Sequence, residues 1–241
     1  MKTSTSNYWN KIGESYASAW SYNGRQYVSD QELQFLKNSI KKYLTKKEHA
    51  VKALDLGCGA GRILSALENV KTIDTLMGID FSDEMLLYCK QRFINSKKIK
   101  KLIHHDISKK LPFQNETFDA VTSFRAVKYN MNWKDIIKEC ERILKKGGIF
   151  IFDMPNINSI NRLSNIEVAI HKTTLKELKQ TLEKTGFEIM EIKGGPILPG
   201  FLYDTIKGPI LNGAISGEKF FKIIFGEIFL SRFIYIACRK I

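Results

Sequence analysis

Cysteine is scarce in this sequence, and the few cysteines are not spaced to bind a metal. The 241 residues include four of them, Cys58, Cys89, Cys140 and Cys238, and no two form a C-x-x-C pair. This spacing excludes a zinc knuckle and an iron–sulfur cluster motif. Widely dispersed single cysteines are typical of a reducing compartment, so the sequence predicts a cytoplasmic protein.

Long hydrophobic runs are also missing. The first nine residues contain no apolar region of the kind that a signal peptide carries. The most hydrophobic stretch, residues 220–238, is interrupted by Lys222, Glu227 and Arg232. No run therefore reaches the roughly 20 apolar residues of a membrane-spanning helix. We expect neither an export signal nor a transmembrane span.

Acidic residues are in the minority. The chain has 38 basic and 25 acidic side chains, which gives a formal net charge of +13. Thirty of the basic residues are lysines and eight are arginines, whereas proteins that read nucleic acids depend on the planar arginine fork for bidentate contacts. The composition therefore favours a solvated, lysine-rich surface and disfavours nucleic acid as a partner. Weak attraction to anionic substrates, RNA or lipid headgroups remains the alternative.

Hydrophobic residues make up 44% of the chain, which is enough to form the core of one α/β domain. Short apolar runs predict strands over residues 51–56, 75–79, 101–105, 118–124, 149–153, 187–192 and 233–238. Helical periodicity predicts helices over residues 30–44, 63–67, 83–94, 133–144 and 174–185. We expect Asp30 to cap the first of these helices, Ser82 to cap the third, and Gly147 with Gly148 to end the fourth. This alternation predicts a mostly parallel sheet covered by helices on both faces, with ligands beyond the carboxyl ends of its strands.

A glycine-rich turn joins the first predicted strand to the following helix. It reads Asp55-Leu-Gly57-Cys58-Gly59-Ala-Gly61. Glycines at alternate positions let the backbone approach a ligand closely, and the helix behind them presents free N–H groups. The spacing differs from the dinucleotide motif G-x-G-x-x-G, and the missing G-K-[ST] excludes a P-loop. The turn therefore predicts a binding loop, with a purely structural turn as the alternative.

Acidic residues follow the second and third predicted strands. Asp80 lies 21 residues after the middle glycine of the turn, where a carboxylate can accept hydrogen bonds from ribose hydroxyls and repel a 2′-phosphate. Asp106 could accept a hydrogen bond from an adenine amino group. Phe81, Met85 and Ile107 could supply apolar surfaces around the ring, although Met85 is equally suited to helix packing. Together they predict an adenosine site.

The glycine motif, Asp80 and Asp106 at these spacings resemble class I S-adenosylmethionine-dependent methyltransferases. Further similar segments are residues 111–113, 118–121 and 142–150, so that the resemblance covers residues 50–190 and resumes at residues 233–240. It implies an α/β fold with a Rossmann-like, seven-stranded, mostly parallel sheet, one antiparallel strand, helices on both faces and an N-terminal helical cap. We divide the chain into this cap (residues 1–46) and the cofactor-binding domain (residues 47–241), with an insertion at about residues 194–231.

The resemblance also implies residue roles. The turn would hold the methionine part of the cofactor, Asp80 the ribose, and Asp106 with Ile107 the adenine, while Phe124 would border the methyl-transfer site. The candidate cofactor-binding residues are Asp55, Gly57, Cys58, Gly59, Gly61, Asp80, Phe81, Met85, Asp106, Ile107 and Phe124. Arg125 and Tyr129 are the candidates on the acceptor side. No catalytic residue or metal ligand is identified, because transfer from a sulfonium depends mainly on alignment in a dry pocket.

The function we expect is methyl transfer from S-adenosylmethionine to a small organic acceptor, with S-adenosylhomocysteine as product, by a monomer or homodimer. Residues 124–127 depart from the [DN]-P-P-[YF] motif, which disfavours adenine or glutamine amino groups as acceptors. The alternatives are an RNA or protein methyltransferase and a non-catalytic cofactor-binding protein. A nicotinamide oxidoreductase is disfavoured by the glycine spacing.

The insertion contains an apolar helical pattern near residues 217–230. Apolar side chains recur around most of that helix, so we expect it to bury most of its surface, contact lipid or pair with another chain. Two interpretations of this helix remain open: it packs against the sheet edge, or it forms a lid over an apolar acceptor pocket.

Overall fold

The structure, a computed structural model, describes residues 23–44, 49–159 and 170–241. The strands are β1 (Val51–Leu56), β2 (Ile73–Asp80), β3 (Ile99–His104), β4 (Phe118–Ser123), β5 (Leu144–Pro155), β6 (Phe187–Gly194) and β7 (Phe233–Lys240). The helices are α1 (Asn23–Tyr43), α2 (Arg62–Glu68), α3 (Asp83–Arg92), α4 (Trp133–Ile143), α5 (Leu175–Lys184), α6 (Gly200–Thr205) and α7 (Gly208–Phe225). Part of the N-terminal cap that we expected, residues 1–22 and 45–46, lies outside the described residues.

The seven strands form one sheet in the order β3-β2-β1-β4-β5-β7-β6. Strands β1 to β5 pair in parallel, whereas β7 runs antiparallel to both β5 and β6. The expected mostly parallel, seven-stranded Rossmann-like sheet with one antiparallel strand is confirmed. The strand order reverses between β1 and β4, and ligands of open α/β sheets bind beyond such a point.

Alternate residues of the strands enter two separate hydrophobic clusters, one on each face of the sheet. Leu54 and Leu56 of β1 pack with α4 and α5, whereas Ala53 of the same strand packs with α1, α2 and α3. Strand β7 divides in the same way, with Ile236 on the first side and Tyr235 on the second. Because side chains alternate along a strand, a buried strand needs helices on both sides, and the expectation of helices on both faces is confirmed.

Two residue signals that we expected to start or end a helix, Asp30 and the pair Gly147–Gly148, do not have that role. Helix α1 begins at Asn23, and Asp30 lies inside it and accepts a hydrogen bond from Gln26 at 2.8 Å instead of capping the helix. Packing explains the earlier start, because Val28 is buried against the insertion. Helix α4 ends at Ile143 because Leu144 is already extended and begins β5; the glycine pair that follows lies within the strand. Tertiary packing thus overrode the local stop and start signals.

The insertion forms helices α6 and α7, which pack against α1 rather than burying their whole surface. Tyr203 and Leu211 form a small hydrophobic cluster with Val28 of α1. Outside this contact, apolar side chains of α7 remain exposed, Phe220 by 65% and Ile223 by 81%, so the expected contact with lipid or with another chain stays open. No helix within the described ranges has the combined length and apolarity to cross a bilayer.

Candidate functional site

A cavity of about 480 Å³ lies beyond the carboxyl ends of β1, β2, β3 and β4. Residues predicted to bind the cofactor line it, namely Gly57, Gly59, Asp80, Phe81, Met85, Asp106, Ile107 and Phe124. The wall is completed by His104, Arg125, Ala126, Tyr129 and Asn130. The fold therefore gathers side chains from four loops, spread over more than 70 residues of sequence, around one cavity.

The glycine turn lines this cavity with backbone atoms of Gly57 and Gly59. The amides of Gly57 and Cys58 both donate to the carbonyl oxygen of Ile79, at 2.8 and 2.9 Å, which ties the turn to the end of β2. Gly59 has φ +51°, and a Cβ atom placed on it would meet nothing within 4 Å. A Cβ atom on Gly57 would lie 2.2 Å from that of Ala126. The turn therefore needs glycine for conformation at one position and for space at another.

Asp80 is almost fully buried, and its carboxylate organises the turn. One oxygen accepts from the Gly59 amide at 2.8 Å and the other from the Ser82 amide at 2.9 Å. Burial raises the pKa of Asp80, and these amide hydrogen bonds oppose that rise. A carboxylate has about four acceptor positions, so both oxygens retain capacity for a ligand hydroxyl.

The opposite rim of the cavity is formed after β3. The Asp106 carboxylate is exposed there and accepts from the Ser108 amide at 2.9 Å. His104 bonds through Nε2 to the carbonyl oxygen of Phe81 at 2.7 Å, which holds the two neighbouring loops together. Ile107 is buried beside them. This rim combines the apolar surface of Ile107 with the exposed carboxylate of Asp106.

Three of the predicted site residues lie behind the turn rather than on the cavity wall. Asp55 is buried and accepts from the hydroxyl of Thr122 at 2.8 Å, and burial raises its pKa to about 7. A Cβ atom on Gly61 would come within 2.4 Å of Phe93, so close packing requires this glycine. Cys58 is also buried. These three residues pack behind the turn and support its conformation, and they do not line the cavity.

We expect the buried Asp55 carboxyl to make stability depend on pH. Between its unfolded pKa near 3.8 and its folded pKa of about 7, the folded state binds more protons, so the free energy of unfolding falls as pH rises through this range. Asp55→Asn removes this term and should gain roughly 1–3 kcal/mol relative to wild type across the window. Urea unfolding at several pH values measures it, with the exposed carboxylate Asp74→Asn as control. A constant difference between wild type and Asp55→Asn would contradict the burial argument.

A buried ion-pair network connects α1 to the cavity. Glu32 is fully buried and accepts from Arg62 at 2.6 Å and from Arg125 at 2.7 Å. These guanidinium groups outweigh burial and hold the pKa of Glu32 below its usual value. Arg125 has φ +65°, and its amide donates to Asp153 at 2.5 Å. Glu32 was not predicted as a site residue, because an acid inside a lysine-rich helix carries no local signal of burial.

Lys128 lies behind the acceptor end of the cavity. It is 5% exposed, and its Nζ sits 5.0 Å from the ring centroid of Tyr129 and 4.9 Å from that of Phe233. Burial, together with the positive charge of Arg125, lowers its pKa to about 7. Among the described residues, no group of three or more His, Cys, Asp or Glu side chains is placed to hold a metal ion.

Part of this chain is similar in sequence to methyltransferases. A family model described as a methyltransferase domain matches residues 54–152. An uncharacterised protein of Methanocaldococcus jannaschii is 28% identical over 188 residues, which cover 78% of this chain and 65% of that protein. A demethylmenaquinone methyltransferase of Leptospira interrogans is 37% identical over 101 residues, which cover 41% of this chain and 40% of the relative. The matched segments thus span less than two thirds of these relatives.

Solved structures share the fold at low sequence identity. A chain of a Haloferax volcanii complex that contains the Trm112 methyltransferase activator has a TM-score of 0.68 at 19% identity and covers 98% of both chains. An S-adenosylmethionine-dependent methyltransferase of Mesorhizobium loti has a TM-score of 0.63 at 18% identity, covering 88% of this chain and 100% of the other. At such identities the likeness shows the fold alone.

Proposed function

We propose that this chain, whose residues 54–152 match a methyltransferase domain, is a class I S-adenosylmethionine-dependent methyltransferase that transfers the methyl group of this cofactor to a small organic acceptor. The observation that carries the proposal is the cavity in which the glycine turn, Asp80 and Asp106 meet at the point where the strand order reverses. A volume of about 480 Å³ is in the range of small-molecule sites.

The described residues fit the cofactor. The open space above Gly59 accommodates ligand atoms where any side chain would project. Asp80 retains acceptor capacity for ribose hydroxyls, and Asp106 with Ile107 offers a carboxylate and an apolar surface for adenine. When bound, the sulfonium supplies a methyl group that is already electrophilic. The chain's part is then to align an acceptor and exclude water, which requires no catalytic triad.

The part of the cavity that follows β4, which we call the acceptor end, is suited to a small and largely apolar substrate. Phe124 and Ala126 present hydrocarbon surface, while Tyr129 and Asn130 add one hydroxyl and one amide. The Arg125 guanidinium is paired with a buried carboxylate, so it positions this end of the cavity rather than offering a free charge. We infer that Tyr129 contacts the acceptor and orients its nucleophilic atom.

The comparisons support a small acceptor without identifying it. Several relatives are named for demethylmenaquinone, a small molecule. Two observations favour the macromolecular alternative, namely the net charge of +13 and the Haloferax volcanii complex with a methyltransferase activator. An RNA or protein acceptor, or an activator subunit, is therefore the second candidate. A cofactor-binding protein without catalysis is the third.

Methyl-labelled S-adenosylmethionine distinguishes these candidates. The protein is incubated separately with a small-molecule extract, bulk tRNA and a protein fraction, and the labelled product is identified by mass. Label in the organic extract supports the proposal. Label in tRNA or protein would replace it with the second candidate, and S-adenosylhomocysteine binding without label in any pool would replace it with the third.

Asp80→Ala should weaken binding of S-adenosylhomocysteine by about 1–3 kcal/mol, measured by calorimetry. In the proposed site the carboxylate accepts hydrogen bonds from the ribose hydroxyls. It also accepts a hydrogen bond from the Gly59 amide, so its removal should loosen the glycine turn as well. Asp74→Ala, at the exposed start of the same strand, is the matched control and should bind normally. Unchanged affinity in Asp80→Ala would remove Asp80 from the proposed site.

A further inference from the structure

Helix α7 presents an apolar face to solvent. Ile223 is 81% exposed, Phe220 65% and Ile224 55%. These positions are three and four residues apart, so their side chains lie on one face of the helix. Phe225, the last residue of the helix, is 55% exposed, and Phe229, four residues beyond its end, is 58% exposed. We call these five residues the α7 face. Exposed apolar side chains so concentrated mark an interaction surface.

The orientation of α7 is set by contacts on its opposite side. Glu218 is buried there and accepts from the amides of Ile197 and Leu198, at 3.0 and 2.6 Å. It also accepts hydrogen bonds from the hydroxyls of Tyr203 and Tyr27. These contacts join α7 to α6 and α1. The α7 face is therefore held outward by a satisfied buried carboxylate.

The charges around the α7 face are mainly positive. Lys207 and Lys219 are exposed on the same segment, whereas Lys222 is half-buried and its Nζ donates to the carbonyl oxygen of Gly194 at 3.2 Å. The acidic residues of positions 200–231 are Asp204, Glu218 and Glu227. Glu218 is buried and Asp204 pairs with Arg25 at 2.5 Å, so the exposed charges outside that pair are Lys207, Lys219 and Glu227. Apolar side chains bordered by lysines match the interface of an anionic bilayer, where rings enter the headgroup region and ammonium groups meet phosphates.

We propose that the α7 face docks the protein on an anionic membrane surface, with Phe220, Ile223 and Ile224 inserted at the lipid interface. A second copy of the chain is the less favoured occupant, because a two-fold contact would bring the lysines of both copies together on molecules of charge +13. The helix lies on the surface and does not span it, in agreement with its length and composition. The proposal does not depend on methyl transfer.

Co-sedimentation with vesicles tests the proposal. The full chain is mixed with vesicles of phosphatidylglycerol and phosphatidylcholine in equal parts, and with vesicles of phosphatidylcholine alone. We compare wild type with Ile223→Glu and with Ile94→Glu, since Ile94 is 80% exposed elsewhere on the surface. The two variants carry the same change of charge. Circular dichroism melting confirms that both fold.

Wild type and Ile94→Glu should bind the anionic vesicles, and Ile223→Glu should bind about tenfold more weakly, because its carboxylate must stay hydrated. Neutral vesicles should bind wild type more weakly than anionic ones. Equal binding by both variants would reduce the interaction to general charge and overturn the docking role of the α7 face. So would an absence of vesicle binding. A dimer that Ile223→Glu dissociates, without vesicle binding, would assign the α7 face to a second copy.

Discussion

Gly59→Val should abolish detectable binding of S-adenosylhomocysteine while the fold survives. A side chain at this position projects into the open space of the cavity and takes the place of ligand atoms. We expect a loss of roughly 3 kcal/mol or more, about a hundredfold in affinity. The left-handed backbone, φ +51°, adds a strain of roughly 1–2 kcal/mol to the folded state. Calorimetry measures the binding, and urea unfolding measures the strain.

Gly186→Val is the matched control for this experiment. Gly186 has φ +86° and equally open space at its Cβ position, but it lies in the turn between α5 and β6, away from the cavity. This variant should lose stability through the same backbone strain and still bind S-adenosylhomocysteine normally. Normal binding by Gly59→Val would mean that the glycine turn does not hold the cofactor. Loss of binding in both variants would trace the effect to strain alone.

Glu32→Ala should lower the free energy of unfolding by about 3–5 kcal/mol. The carboxylate is fully buried between Arg62 and Arg125, and its removal leaves two largely buried guanidinium groups without their shared counter-charge. Because Arg125 lines the cavity, binding of S-adenosylhomocysteine should weaken as well. Urea denaturation and calorimetry measure the two effects.

Asp204→Ala is the control for Glu32→Ala. It breaks the ion pair with Arg25, which also joins α1 to the rest of the chain but is exposed to solvent. We expect a change below about 1 kcal/mol, because solvent screens exposed ion pairs. Equal effects of the two substitutions would show that burial does not strengthen the dependence on Glu32. A stable Glu32→Ala that binds normally would remove the network from any role at the cavity.

The parts of the fold predicted well from sequence are those with local causes. Strand β1 was predicted with the observed bounds, since a short apolar run followed by glycines has few other solutions. Ser82 caps α3 as expected, accepting from the Met85 amide at 3.3 Å. The placement of Asp80 at the end of β2 follows from the same reasoning, because the polar residue after an apolar run marks where the strand leaves the core.

The parts that were missed depend on contacts between distant segments. Glu32 is 93 residues from Arg125, and the partner that permits its burial is invisible in the helix around it. The start of α1 was missed because it packs on the insertion, about 180 residues later. The sequence also left open whether Ile223 is buried or exposed, since an apolar pattern does not tell which face of a helix has a partner. Burial depends on neighbours, and neighbours are a property of the whole fold.

The sequence by itself determined the kind of site: a side-chain-free turn after one strand and lone carboxylates after the next two, because backbone conformation and strand ends are governed by adjacent residues. Only the tertiary structure decided the surroundings of that site. It placed Asp55, Cys58 and Gly61 behind the turn, paired the buried Glu32 with Arg125 of the cavity wall, and turned the α7 face outward. The physical reason is that buried charge and apolar exposure are settled by long-range packing, which one stretch of sequence does not encode.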